Sequence, residues 1–398
     1  MNTKSIVIAL FLLAVFNCAF AQKPTVFLVK AERLEELKTK IKNGDAAAKA
    51  LLNKLLKDAN KQLDEKTPSV MDKAQTPPSG NKHDYMSMAT YYWPDPSKPA
   101  GAPYIRKDGE RNPEIRDISD HKAVDNMQKA VSLLSLAYCF THDETYAKKA
   151  AEFLKVFFLD ESTKMNPNMN YAQYVKGVND GRGTGILDTR SFADVASSVG
   201  LLDGSKSWTK ADAEQLKAWY TQYFDWMKNS KNGHDERNAK NNHGIWFDTQ
   251  MLAIGLFLDQ KDYVKEYLKT TLARIPVQLE LDGRQPLELE RTAALSYSTF
   301  SLQAWFTAAN LADNVGVDIW NYETADGKSI KKAIDWLLPF AMGEKPWTYK
   351  QIHDYKKSDF YLLMLQASKH YKDAAYTTAL DKLKEEKGNT IAEIYYGK

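Results

Sequence analysis

The stretch Asn241-Asn242-His243-Gly244-Ile245-Trp246 runs from a polar triplet straight into an apolar segment that continues to residue 258. A capping-type residue followed at once by apolar residues at helical spacing reads as a helix start. Working outward, the same pattern recurs with short breaks over residues 211–228 and 191–202 before it. It recurs again over 263–274, 288–312, 330–340, 359–368 and 374–384 after it. Nearer the N-terminus, Leu34, Leu37 and Ile41, then Leu51, Leu52, Leu55 and Leu56, lie at helical spacing on either side of Asn43-Gly44-Asp45, which predicts a helical hairpin. A further helix starts at Ser119 or Asp120 with Val124, Met127, Val131, Leu134 and Tyr138 on one stripe, and another spans 146–158. Strand-like sequence is confined to short pieces near 25–29. The chain is therefore expected to be all-α, an incomplete α/α toroid of successive helical hairpins with long loops at one mouth. An open solenoid ranks second, because no fixed-period repeat is visible.

Composition bounds the function. The 398 residues, 43% hydrophobic and 12% aromatic, are enough for a sizeable core. Lys plus Arg at 54 against Asp plus Glu at 51 gives a net charge of +3, which argues against a general nucleic-acid binder. Lys4, the apolar run 6–16 and Ala19-Phe20-Ala21 read as a cleavable signal peptide over residues 1–21, too short to be a membrane span. Export to the periplasm is expected, with the cell surface or secretion as alternatives, and Cys18 raises a lipoprotein reading. Cleavage after Ala21 would leave Cys139 as a buried thiol, with no disulfide and no cysteine metal site. No linker divides the rest, so residues 22–398 are expected to form one domain.

Two irregular stretches interrupt the helices. Residues 67–113 carry Tyr91-Tyr92-Trp93-Pro94-Asp95-Pro96, and residues 165–188 carry Asn179 and Gly181-Arg182-Gly183-Thr184-Gly185. Long aromatic loops in a compact domain are commonly functional. Tyr91, Tyr92 and Trp93 either stack on sugar or line a cleft wall; Asn179 and Arg182 either bind an anionic ligand or build the loop. The glycines permit close approach of backbone to a ligand. His353 and Tyr355 belong to a late aromatic loop able to close a mouth. No metal-ligand spacing of the His-Glu-x-x-His kind is present, and neither a metal nor another cofactor is expected. A polar loop over residues 233–240 leads to the helix start, where Asn242 and His243 offer donors and the helix dipole favours an anion. Arg291, six positions before Tyr297, either pairs with Glu288 as a solvated neighbour three residues away or binds an acidic sugar, since a guanidinium matches carboxylate geometry.

Four segments in this order, Tyr91–Pro96, Gly181–Ile186, Asn241–Gly244 and Pro286–Thr292 with Tyr297-Ser298, resemble the alginate lyase superfamily of α/α-toroid polysaccharide lyases. The likeness covers roughly residues 85–345 and is nearest to glucuronan and alginate lyases of gut Bacteroidetes. It implies β-elimination at a 4-linked uronate without an obligatory metal. It also implies that Asn242, His243 and Arg291 neutralise the substrate carboxylate while Tyr297 works at the C5 proton. One departure stands out: better-known members place the arginine seven residues before the tyrosine, where this chain has Glu290. On a helix that moves the side chain by about 100°.

The chemistry supports that reading independently. Removing the C5 proton of a uronate puts a second negative charge beside a carboxylate, so donors and a cation aimed there stabilise the enolate. A tyrosine whose pKa of about 10 is lowered by cations can take the proton and return it to O4. In β-D-mannuronate and β-D-glucuronate H5 and O4 share a face, so one Tyr297 serves both steps; α-L-guluronate calls for a second group, such as His243. The substrate expected is thus an acidic polysaccharide of D-uronates. Two other readings compete: a toroid glycoside hydrolase recruiting Asp188, Asp248, Glu288 or Glu290, and a non-catalytic glycan-binding protein of an uptake system.

Overall fold

The computed structural model describes residues 24–386 and 388–397, so the expected signal peptide and Cys18 lie outside the described residues. The first hairpin is α1 (Ala31–Lys42) and α2 (Ala46–Leu63), with Asp45 accepting from the Ala48 N–H to cap the second helix. Then follow α3 (Asp120–Thr141), α4 (Glu144–Leu154), α5 (Phe192–Val199), α6 (Lys210–Asn229), α7 (Lys231–Arg237) and α8 (Asn242–Phe257). The remainder is α9 (Lys261–Leu272), α10 (Ile275–Gln278), α11 (Pro286–Leu289), α12 (Ala294–Ala312), α13 (Ile330–Ala341), α14 (Lys357–His370), α15 (Ala374–Lys382) and α16 (Thr390–Tyr396).

These helices form an α/α toroid. Helix α3 packs on α5, α5 on α8, α8 on α12 and α12 on α14; α14 meets α16, which packs on α2, and α2 returns to α3. Inner helices must bury more than one face, and α8 is buried along nearly its whole length, from Ile245 through Leu256 apart from Trp246. Trp305 on α12 is fully enclosed, and truncating such a side chain to alanine costs about 3–5 kcal/mol. Helices α4, α9 and α15 lie against α3, α8 and α14 as outer partners.

The structure departs from the sequence expectation in several places. Residues 25–29 form no strand; the N–H groups of Phe27 and Leu28 instead donate to the Ser197 hydroxyl. The strands lie in the long loops: β1 (Met86–Met88) pairs in parallel with β4 (Tyr171–Tyr174), and β2 (Tyr92–Trp93) pairs antiparallel with β3 (Ile105–Arg106). A small second core of Met88, Ala89, Tyr104, Ile118 and Val175 sits beneath them and orders the loops. Finally, the helix expected over 288–312 is broken. Thr292 gives its N–H to Asp108 and its carbonyl to the Ile352 N–H, Ala293 bridges to Gln351 and the Ala294 N–H goes to the Lys350 carbonyl, so the helical ladder is interrupted there.

Candidate active site

The start of α8 is built as the sequence predicts and then used differently. Asn241 caps it by accepting from the His243 N–H. The Asn242 backbone N–H and side-chain Nδ2 each donate to one oxygen of Glu288, both at 2.7 Å. The anion at this helix N-terminus is thus supplied by the chain itself. Asn242 is only 1% exposed, and its Oδ1 is buried without a hydrogen-bond partner. Burial raises the Glu288 pKa, against the hydrogen bonds from Asn242 and the charges of Arg291 and His243.

His243 is held by a second buried acid. Its Nδ1 lies 2.6 Å from Oε1 of Glu236, which is 2% exposed, so Nε2 is the ring nitrogen left for a ligand. Glu236 comes from residues 233–240, read from sequence as a polar loop. They are largely α7, started by Ser230 accepting from the Gly233 N–H.

A third acid holds the arginine. Arg291 donates through Nε and one terminal nitrogen to the Asp108 carboxylate, the shortest contact being 2.7 Å, and the Thr292 N–H and hydroxyl join it. Burial alone would raise Asp108, yet these donors hold its carboxyl well below the usual range. The Arg291 guanidinium lies 3.6 Å from the centre of the Tyr297 ring. Because α12 begins only at Ala294, Arg291 stands on irregular backbone and the expected rotation of about 100° for a one-residue shift does not apply.

Tyr297 donates to the Tyr91 hydroxyl at 2.7 Å. Lowering of its pKa by cations is not what the structure shows: burial, with Tyr91 adding to it, outweighs Arg291 and pushes the phenol far up. Tyr297 therefore holds its proton here.

The loops complete the arrangement. Arg182 lies over the Tyr92 ring, 5.0 Å from its centre, and donates to the Gln173 carbonyl and side chain; Gln173 in turn donates to the buried Asp188. Gln173 has φ +48, an uncommon conformation for a side-chain-bearing residue, at this junction. Trp93 donates to the Glu110 carbonyl and stands beside Lys107 on the β2–β3 ribbon. His353 reaches the Gly109 carbonyl at 2.8 Å, which ties the late loop to the Asp108 turn.

Two candidates stand apart. Asn179 closes its own turn by accepting from the Val175 N–H, and Tyr355 pairs with Thr299 on α12. The glycines after Asn179 serve packing: a Cβ on Gly181 would lie 2.0 Å from the Asn170 carbonyl, and one on Gly185 would lie 2.7 Å from that of Ala172. They bring backbone close to backbone rather than to a ligand. Asp108, Glu236 and Gln173 were not singled out from sequence; Asp108-Gly109 carries a turn signature, while the other two carry none.

The carboxylates proposed for a hydrolase are committed elsewhere. Asp248 is fully buried and takes two bonds from Arg274 and one from Tyr267. Asp188 takes Tyr85, Ser87 and Gln173, Glu288 takes Asn242, and Glu290 is exposed. A cavity of about 680 Å³ lies between α2, α3, α14, Glu386 and residues 388–391 and includes none of the candidate residues. Among the described residues no cluster of His, Cys, Asp and Glu could hold a metal, and no helix is long and apolar enough to cross a membrane.

The comparisons with known proteins make the chain a polysaccharide lyase. The profile of the alginate lyase family matches residues 69–347, and the chain belongs to that family. It is similar to an alginate lyase from Bacteroides ovatus at 38% identity and TM-score 0.88, over 94% of this chain and 99% of that one. Alginate lyase A1-III from Sphingomonas species A1 shares the fold at 14% identity and TM-score 0.58, over 96% of this chain and 98% of that one. A variant of A1-III complexed with tetrasaccharide aligns at 14% identity and TM-score 0.59, with the same coverage. No curated protein matches the sequence.

Proposed function

We propose that this lyase cuts β-1,4-linked D-uronates, mannuronate-rich alginate or glucuronan, with Tyr297 as base and then acid. Tyr297, as phenolate, takes the C5 proton; the C5–H electrons form the C4–C5 double bond, the C4–O4 bond breaks, and Tyr297 returns the proton to O4. Arg291 and the Nε2 side of His243 meet the carboxylate, Asn242 contributes an amide, and Arg182, Tyr92 and Trp93 line the approach. The observation that carries this is the Tyr297 hydroxyl bonded to Tyr91 with Arg291 against its ring. The resting phenol must lose its proton once, before the first turnover, because returning the proton to O4 regenerates the phenolate; its hydrogen bond to Tyr91 lies on the way out. The Bacteroides ovatus relative is named an alginate lyase, which supports the substrate class. Cleavage of a leader after Ala21 and action in the periplasm or at the cell surface complete the proposal.

Purified protein is incubated with polymannuronate, glucuronan and polyguluronate while near-ultraviolet absorbance of the unsaturated product is followed. Both D-uronate polymers are expected to react faster than polyguluronate. Faster cleavage of polyguluronate sinks the single-tyrosine assignment.

A further inference from the structure

Arg291 and His243 each face a carboxylate, that of Asp108 and of Glu236, whereas Arg182 faces a neutral side chain. Its Nε donates to the Gln173 carbonyl at 3.2 Å and its Nη2 to Gln173 Oε1 at 3.0 Å. The other end of that amide, Nε2, donates at 2.8 Å to Asp188, which also accepts from Tyr85 and Ser87 and is 5% exposed. A carboxylate only accepts, so Asp188 draws the NH2 end of Gln173 and turns the carbonyl end towards the guanidinium. The amide thus stands between a buried acid and a cation that could otherwise pair. Gln173 keeps this place at φ +48, with its N–H on the Ser87 hydroxyl.

Arg182 borders both halves of the site. The ring it lies over is Tyr92, next in the chain to Tyr91, which bonds Tyr297. On its other side, a Cβ on Gly183 would lie 3.0 Å from the backbone nitrogen of Glu236, the acid that holds His243. Nη1 has no hydrogen-bond partner among the described residues and is not closed off from solvent, which leaves one edge of the guanidinium for a ligand. Burial lowers the Arg182 pKa and Arg106 adds to the effect, so an arriving anion would meet a charge that is poorly compensated. In the functional reading above, Asn242, His243 and Arg291 take the carboxylate of the uronate being cut. Every further unit of a polyuronate brings a carboxylate of its own.

We infer that Gln173 is a positioning residue: it keeps Arg182 apart from Asp188, so that the guanidinium binds the carboxylate of a uronate neighbouring the one that is cut. The inference rests on the polyuronate reading above and names a specificity contact within it.

The test measures kcat and KM on polymannuronate, at low and high salt, for the native protein, Gln173→Gly, Arg182→Gln and the two combined. Glycine accommodates φ +48, so Gln173→Gly keeps the fold and removes the spacer, letting Arg182 fall back onto Asp188. Its KM is expected to rise about tenfold with kcat within about threefold of native, because a contact to a neighbouring unit serves binding rather than the developing charge. Arg182→Gln is expected to do the same, to weaken the salt dependence of KM, and to cancel any further effect of Gln173→Gly. If Gln173→Gly melts below the assay temperature, Gln173→Asn carries the same expectation, since its amide is a methylene too short to bridge and asparagine tolerates this backbone. An unchanged KM in either single variant, a kcat that falls as KM rises, or additive effects in the pair each overturns the inference. Absence of product from the native protein on every polyuronate would instead sink the functional reading, so the two failures are distinct.

Discussion

The starts of α8 and α12 hold the two halves of the site by opposite means. Helix α8 begins on its own cap, Asn241, and His243 is steadied by Glu236, a residue seven positions away. Helix α12 has no side-chain cap. The Ala294 N–H goes to the Lys350 carbonyl, and Arg291 is held by Asp108, 183 residues away in sequence. One half is mostly local and stiff; the other exists only once distant loops have docked. In both, a carboxylate stands behind the basic or amide group: Glu236 behind His243, Glu288 behind Asn242, Asp108 behind Arg291. On the proposed function, a substrate carboxylate entering here would compete with acids already in place, so orientation would matter as much as charge.

The contrast is most severely tested at Tyr297, on the loop-dependent half. Tyr297→Phe keeps the ring under Arg291 and removes only the proton carrier, so product formation is expected to fall by about 10³-fold with melting unchanged. Because burial holds the native phenol protonated, the reactive phenolate grows with pH, and the native rate is expected to climb towards alkaline pH. A Tyr297→Phe variant that keeps a tenth of the activity ends the assignment.

Next in size is Asp108→Asn, which releases Arg291 and Thr292 without touching α8. A loss of about 2 kcal/mol in stability is expected near neutral pH, with kcat/KM down by about 10²-fold as Arg291 shifts. The sign with pH follows from the lowered carboxyl. Its stabilisation is present above the unfolded value of about 4 and is lost as pH falls through the native value, so Asp108→Asn should flatten the acid limb of a denaturant series. An equally steep acid limb in the variant would show that the clamp contributes nothing.

The smallest effect belongs to Asn179→Ala. Asn179 bonds only within its own turn, so activity should stay within about twofold and stability within about 1 kcal/mol of native. A tenfold drop in kcat/KM would return Asn179 to the substrate and enlarge the loop-dependent half.

The hairpin periodicity of Leu34, Leu37 and Leu55, the stripe on α3 and the apolar run of α8 were enough to predict an all-α toroid, since a helix face that recurs every three to four residues has to be buried against another helix. The chemistry of Asn242, His243, Arg291 and Tyr297 was likewise legible as residue types at marked places. Their partners were not. Glu236 lay inside a run read as loop, Asp108 carried only a turn signal, and Glu288 was read as a surface neighbour of Arg291 or a hydrolase acid rather than as the anion of the α8 N-terminus. Local sequence determines which backbone groups and side chains seek a partner. Tertiary structure alone decided which partner each found, because those contacts span 46 to 183 residues for Asn242 and Arg291 and depend on loops docking after the helices are placed.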